Sequence, residues 1–293
     1  MGRNQREVNK IGYFFCLIIV LEFIFSLICA LFLNRMNTCT LYLISKLGYA
    51  IPIIVYMYSV RNTEHFYYIK AIKPQTMCLT ALFTLLCAPV AIFINLLSQE
   101  LTTNAVIDSS DTILSGNVAA TVLSICVITP ILEELAFRGI IYNGLRENTV
   151  NIKAMVASAV LFGLIHMNFN QLCYAFILGL LFCILNVASG SIVASTISHI
   201  TINSFNLLLV YLAEKKHVEP VNEDTSILIG IFFILTIISL PLVYMVINKI
   251  AKVENRDSID FKKLSEGSDD TRVFTSLPIL IGAGICTVAM ILL

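Results

Sequence analysis

The sequence predicts an all-α fold, a polytopic transmembrane bundle of about eight to nine helices. Of its 293 residues, 58% are hydrophobic and only 13% are charged, which departs from the composition of soluble domains in both respects. Nine apolar stretches are long enough, or nearly so, to cross a hydrocarbon core of about 30 Å, which takes roughly 20 helical residues. We therefore expect lipid to be the solvent for most of this fold.

The apolar stretches should be helices, because a backbone in lipid has to satisfy its own hydrogen bonds. Two of them, 152–167 and 171–188, are short, and tilted or partly re-entrant helices are expected there. The first stretch lacks a small-residue cleavage pattern and is interrupted by Glu22, so it is interpreted as a permanent anchor. The nine stretches are 11–33, 40–60, 76–97, 117–145, 152–167, 171–188, 191–213, 225–248 and 274–293.

The charged loops predict an orientation. Basic residues within 3–10 precede the first helix, and alternate later loops carry the excess of Lys and Arg that is typical of the cytoplasmic side. Loop 98–116 has acids and no basic residue, which fits the outside, whereas Lys215 and Lys216 are an exception. We predict a multi-pass protein of the plasma membrane with a cytoplasmic N-terminus.

The chain is predicted to consist of N-terminal helices (1–116), a core (117–213) and C-terminal helices (214–293) with a polar linker at 249–272. No internal repeat is visible. The formal net charge is zero and no basic cluster has interleaved aromatics, so a nucleic-acid partner is not expected. The expected partner of such a surface is the lipid bilayer.

Three ionisable residues lie close together in the fourth apolar stretch: Glu133, Glu134 and Arg138. Uncompensated, they would cost about 7 to 10 kcal/mol in the membrane, so something must stabilise them. Glu134 and Arg138 are spaced i, i+4, which is ready for an ion pair. Glu133 has only Phe137 at that spacing, so we assign it to a polar cavity, with the reverse assignment of the two acids as the alternative. Pro130 should bend the helix near them.

Two histidines also lie in apolar stretches, His166 and His199, whereas His65 and His217 lie in charged loops and are interpreted as solvated. Asn203 follows His199 at i+4, so the imidazole and the carboxamide share one helix face. Counting about 1.5 Å per residue from the helix ends, the acids and both imidazoles fall near the middle of the membrane. A common site is therefore feasible.

A carboxylate, two imidazoles and an amide in one cavity are the groups needed to activate water and stabilise an oxyanion, which is the chemistry of amide hydrolysis. Glu133 would be the general base, His166 and His199 would polarise water, and Asn203 would donate to the oxyanion. Glu133 and the two histidines could alternatively bind a divalent metal such as zinc, although no H-E-x-x-H motif is present. Ser195 and Ser198 are interpreted as packing residues.

These residues resemble the CPBP family (CAAX protease and bacteriocin-processing, or Abi) of intramembrane metalloproteases. The family pattern is E-E-x-x-x-R, then F-x-x-x-H, then H-x-x-x-N or D, on successive helices. It is matched over roughly 117–213, in this order, by Glu133, Glu134, Arg138, Phe162, His166, His199 and Asn203.

The resemblance implies an all-α bundle and an endopeptidase that acts on membrane-associated or lipidated (CAAX-type) proteins or on bacteriocin-like peptides. It leaves open both a metal-dependent mechanism and a metal-free one. Two other classes of protein compete with this interpretation. A proton-coupled transporter also buries Glu, Arg and His, but it should show repeated halves with broken helices. A catalytically inactive immunity or scaffold protein could keep the complete motif.

Overall fold

The computed structural model of the chain is a helical bundle, and the part of the chain that it describes contains no β-strand, which confirms the predicted fold class. The structure describes residues 3–32, 36, 38–60, 69–102, 118–215, 225–267 and 272–292. Arg61, His65, Lys216, His217 and most of loop 98–116 lie outside the described residues, so the predictions made for them remain predictions.

Nine apolar helices correspond to the nine predicted stretches, and seven of them are long and apolar enough to cross a membrane. Two, α5 and α9, are shorter, with 14 and 16 residues. The helices are α1 (Arg3–Phe32), α2 (Thr40–Val60, interrupted at Lys46), α3 (Pro74–Gln99), α4 (Val118–Arg146), α5 (Asn151–Leu164), α6 (Phe169–Ser189), α7 (Ile192–Lys215), α8 (Ser226–Val253) and α9 (Leu277–Leu292).

The expectation of a short sixth helix was wrong. Helix α6 has 21 residues, because the Asn168 side chain accepts a hydrogen bond from the Gln171 amide and starts the helix before the apolar run begins. The fifth helix is short, as predicted. The ninth is shorter than its apolar stretch, since it begins only at Leu277, just before Pro278.

Helix α4 is not a regular α-helix. It is π-helical over Val122–Ile128 and over Leu135–Tyr142, and the α-helical turn Thr129–Glu134 lies between these segments. Pro130 contributes to this irregularity, because it has no amide hydrogen and its ring excludes the carbonyl four residues earlier. The two adjacent acids thus end a short α-helical turn between two wider segments, an arrangement that is common at functional sites.

The first and last helices pack against each other. An added Cβ on Gly12 would lie 2.7 Å from the Pro278 Cβ, and one on Gly282 would lie 2.7 Å from the Phe15 ring, so small residues allow this close approach. Helix α3 packs against α7 and α8, and α5 packs against α6. The helices at the two ends of the sequence therefore form one side of the bundle, beside the predicted core.

The ends of several helices meet on one face of the bundle. The Ser191 hydroxyl donates to the Lys70 carbonyl, the Lys73 ammonium donates to the Val253 carbonyl, and Arg256 donates to the Val187 carbonyl. These contacts join the loops that follow α2, α6 and α8. We call this side, defined by Lys70, Lys73 and Arg256, the basic face.

Other helix ends meet on the side away from the basic face, here called the opposite face. Asn170, at the start of α6, donates to the Asn95 carbonyl and to the Ser98 hydroxyl near the end of α3. The Thr225 hydroxyl, before α8, donates to the Glu100 carboxylate. The described ends of the loops after α3, α5 and α7 therefore meet on one face and those of the loops after α2, α6 and α8 on the other, as expected if α3, α6, α7 and α8 each run between the two faces.

Candidate active site

Two of the predicted site residues form an ion pair within α4. Arg138 Nη1 donates to Glu134 Oε1 at 2.9 Å, and both side chains are completely buried. The guanidinium lies 4.2 Å from the centre of the Phe162 ring, which adds a cation–π contact. The i, i+4 pairing predicted from the sequence is therefore present, and it compensates part of the cost of burying both charges.

Glu134 also binds His199, a contact that the sequence pattern did not predict. The Nδ1 atom of the imidazole lies 3.0 Å from Glu134 Oε1, the same oxygen that accepts from Arg138. Since an ionised carboxylate can only accept, His199 Nδ1 carries the hydrogen in this bond, and the neutral ring has its lone pair on Nε2. Glu134 therefore orients the histidine as well as pairing with the arginine.

The other acid, Glu133, faces the far side of the same imidazole. Its Oε2 lies 3.6 Å from His199 Nε2, too far for a direct hydrogen bond. A water molecule could bind both atoms at ordinary hydrogen-bond distances. Glu133 is only 7% exposed, so such a water would be nearly isolated from bulk solvent. The carboxylate and the lone pair on Nε2 are thus arranged to share one water.

His166 and Asn203 reach the same cavity from different elements. His166 lies in the turn after α5, and its Nδ1 is 2.8 Å from the Phe162 carbonyl, so its Nε2 also carries the free lone pair in the neutral ring. The Phe162 ring contacts both imidazoles, at centroid distances of 5.2 Å to His166 and 5.7 Å to His199. Asn203 donates one of its two amide hydrogens to the Ile125 carbonyl at 3.3 Å.

All four predicted cavity residues line one cavity of about 250 Å³: Glu133, His166, His199 and Asn203. The sequence pattern missed further residues of its wall, namely Lys46, Thr129, Gln171 and Tyr174. Of these four residues, only Lys46 could have been recognised from the sequence, because it is a cation within an apolar stretch. The other three are ordinary residues of transmembrane helices, and only the packing of the helices shows that they contribute.

The cavity extends from the middle of the membrane toward the opposite face. On α7, which starts at the basic face, His199 lies about 10 Å above Ile192 and Val210 about 27 Å above it, at 1.5 Å per residue. Both residues line the cavity. Toward the basic face, the cavity is closed by fully buried side chains, among them Glu134, Arg138 and Ser195.

The donor atoms of the site suit a divalent metal in chemistry. Glu133 offers a carboxylate, and His166 and His199 each hold Nδ1 against an oxygen, which is how metal-bound histidines are commonly oriented. Their spacing does not match, however, because within the described part of the chain no three His, Cys, Asp or Glu side chains are grouped closely enough to hold an ion.

Ser195 and Ser198, which flank His199, do not line the cavity, although the Ser195 side chain also interacts with the Glu134 carboxylate. The Ser195 hydroxyl donates to the Ile192 carbonyl at 3.1 Å, and the Ser198 hydroxyl is 2.6 Å from that of Thr84 on α3. Both are completely buried. These contacts agree with a packing role for Ser198, whereas Ser195 also contacts Glu134 of the candidate site.

The fold and the site define an integral membrane protein with a buried centre of Glu and His side chains between its helices. A family model described as Type II CAAX prenyl endopeptidase Rce1-like matches residues 115–205. A Bacillus subtilis (strain 168) protein named "Putative membrane peptidase YdiL" is 28% identical over 108 residues, which cover 37% of this chain and 44% of that protein. No solved structure is significantly similar to the chain.

The predicted resemblance to the CPBP family is confirmed by these matches over the core that contains the site. The match includes all three motif elements, because Glu133, His166 and Asn203 all lie within residues 115–205. The chain spans less than half of the curated relative that it matches.

Proposed function

We propose that this protein is an intramembrane endopeptidase that hydrolyses peptide bonds with a water activated by Glu133 and the two histidines. The observation that carries the proposal is that Glu133 lies 3.6 Å from His199 Nε2, while Glu134, which is itself paired with Arg138, contacts Nδ1 of the same ring. The match to the prenyl endopeptidase model supports the same reaction class.

The proposed reaction begins with a water between Glu133 and His199. Glu133 takes one proton from the water while the water oxygen attacks the carbonyl carbon of the substrate, and the second hydrogen of the water is accepted by Nε2 of either His199 or His166. The amide hydrogen of Asn203 that is not used by Ile125 stabilises the oxyanion. Glu133 then returns its proton to the leaving amine, which releases two peptides.

A divalent metal, if this protein uses one, would take its ligands from Glu133, His166 and His199 and would supply Lewis acidity to the water. No three potential ligands are grouped in the described residues, so every step above is assigned to the side chains themselves. Metal content of the purified protein and its activity after treatment with a chelator test this choice directly.

The proposed substrates are membrane-associated or lipidated proteins of the CAAX type, or bacteriocin-like peptides. The site lies between helices that are long enough to span the bilayer, so a substrate has to reach it from within or beside the membrane. We propose the plasma membrane as the location, with the basic face in the cytoplasm, because Lys70, Lys73 and Arg256 all lie on that face.

The test is cleavage of a peptide library by the purified protein in detergent, with and without chelator. Glu133→Gln is the control, because it removes the proton acceptor and keeps the shape of the side chain. Cleavage by the wild type and none by the variant supports the proposal. A folded wild type that cleaves nothing would favour an inactive immunity or scaffold protein, and proton-coupled uptake in vesicles would favour a transporter.

A further inference from the structure

A stripe of residues on α7 continues past the side chains of the proposed reaction. His199, Asn203, Asn206 and Val210 follow one another at i, i+4, i+7 and i+11, so they share one helix face, and all four line the cavity. The stripe contains one carboxamide that the reaction does not use, that of Asn206. This residue is exposed, and no hydrogen bond to its carboxamide is found within the described part of the chain. Its N–H groups and its carbonyl oxygen are therefore available to a ligand.

A second cavity, of about 310 Å³, lies between α3, α6, α7 and α8. It shares Tyr174, Leu178, Asn206 and Val210 with the first cavity, so the two cavities meet at these side chains. Apart from Asn95, the rest of the second cavity's wall is apolar. A chain that extends from the first cavity into the second therefore has to pass Asn206.

We propose that Asn206 binds the main chain of the peptide substrate and holds it in an extended conformation. A carboxamide in apolar surroundings is costly without a hydrogen-bond partner. An extended peptide has the same need at each residue, because in lipid it cannot satisfy its own N–H and C=O groups. The Asn206 carboxamide can donate to a C=O and accept from an N–H of one substrate residue. This inference rests on the proposed function and deepens it, because it names a residue that holds the peptide beside the scissile bond.

The spacing along α7 fits this role. Asn203, to which the oxyanion is assigned, and Asn206 are three residues apart, so their Cβ atoms lie about 5 to 6 Å apart. An extended peptide rises about 3.3 Å per residue, so one to two of its residues span the same distance. With the scissile carbonyl at Asn203, the main chain one or two residues away therefore lies beside Asn206. A helical segment offers no such contact, because its N–H and C=O groups are already paired within the helix.

The experiment uses the apolar hexapeptide Leu-Val-Phe-Ala-Ile-Gly with an N-terminal fluorophore and a C-terminal amide, so that no terminal charge contributes. In each of its variants one main-chain amide is replaced by an ester, which removes a single N–H. Binding is measured by fluorescence anisotropy on Glu133→Gln protein in neutral detergent, so it still decides the inference if no cleavage is ever observed. We expect one ester position to weaken binding about three- to tenfold, as for the loss of one hydrogen bond. No binding of the hexapeptide, or equal binding of all its ester variants, would overturn the inference.

Variants then assign the contact to Asn206. In the same background, Asn206→Leu keeps the size of the side chain but cannot form hydrogen bonds, so it should bind the amide and the sensitive ester equally. Asn206→Gln keeps the carboxamide and should retain the preference for the amide. Gln75→Leu is the matched control, because it removes a carboxamide from an exposed position of α3 that lines neither cavity, and it should change nothing. An ester effect of unchanged size in Asn206→Leu would contradict the inference.

Two further measurements separate this contact from other roles of Asn206. Thermal unfolding of Asn206→Leu should match that of its parent, because the residue is exposed. If leucine does not fit between the two cavities, Asn206→Ala serves the same comparison. Exposed carboxamides in transmembrane helices also pair with other helices, so the oligomeric mass is measured by light scattering in detergent. A mass that falls in Asn206→Leu would show that Asn206 binds a second copy of the chain and would overturn the assignment to a peptide.

Discussion

Glu133 and Glu134 are neighbours in the chain but have different surroundings. Glu134 is completely buried between Arg138 and His199, whereas Glu133 lines the cavity. Adjacent helical residues point about 100° apart, so one side chain can support the site from behind while the other faces the substrate. This division of roles leads to opposite expectations for the same chemical substitution.

Glu133→Gln should reduce peptide cleavage to background and leave the protein folded, since the amide keeps the shape of the side chain but cannot take a proton. Glu134→Gln should lower the free energy of unfolding by about 3 to 5 kcal/mol, because it leaves the buried Arg138 without a carboxylate. Thermal unfolding and cleavage rate, measured on both variants, check this. A stable Glu134→Gln protein beside an unstable Glu133→Gln protein would reverse the two roles.

His199 and Asn203 should act as a unit. We expect His199→Ala and Asn203→Ala each to lower the cleavage rate. The double variant should cleave only slightly more slowly than the slower of the two single variants, because both side chains serve the same water and oxyanion. The rate has to be expressed per folded molecule, since His199→Ala also removes a hydrogen bond of Glu134. Near-wild-type activity in His199→Ala would end the protease hypothesis for this site.

At the scale of elements, the pair α5 and α6 positions His166 through close packing. A Cβ added to Gly163 would lie 2.9 Å from the Leu172 carbonyl oxygen, which is backbone and cannot turn aside. Gly163→Ala should therefore push the two helices apart, with a loss of stability of about 1 to 3 kcal/mol and a lower cleavage rate.

Gly284→Ala on α9 is the matched control for this change, because its new methyl group would meet nothing within 4 Å. It should be neutral or slightly stabilising, since alanine is favoured over glycine in a helix by up to about 1 kcal/mol. Thermal unfolding of the two variants provides the comparison. If Gly163→Ala were as stable as Gly284→Ala, the close contact between α5 and α6 would not be needed to form the site.

At the scale of the whole molecule, the two faces predict accessibility from the two sides of the membrane. Lys70 and Glu100 are both exposed, the first at the basic face and the second at the opposite face. In a background without cysteines, an impermeant maleimide applied to intact cells should label Glu100→Cys and not Lys70→Cys. In inverted vesicles the result should be the reverse.

Labelling of Lys70→Cys alone on intact cells would invert the proposed orientation. Labelling of both positions from the same side would contradict the alternation of the helices between two faces. The cavity extends toward the opposite face, so this measurement also decides from which side of the membrane a substrate has access to Glu133 and Asn206.

The sequence by itself determined the helical, membrane-spanning fold, since in lipid the length and polarity of a segment largely decide whether it forms a helix. It also predicted Glu133, Glu134, Arg138, His166 and His199 as candidate site residues, because ionisable residues are too costly in apolar helices to be there without a reason. The pairing of Glu134 with Arg138 followed from helix periodicity alone.

Only the tertiary structure decided the contacts between helices that are distant in the sequence. The hydrogen bond from His199 to Glu134 joins α7 to α4, and the approach of Lys46 to the cavity depends on the packing of α2. The sequence pattern also could not predict the π-helical segments on both sides of the two acids, because it assumes regular α-helices. Helix periodicity fixes which residues share a face of one helix, whereas close packing between helices fixes which faces meet.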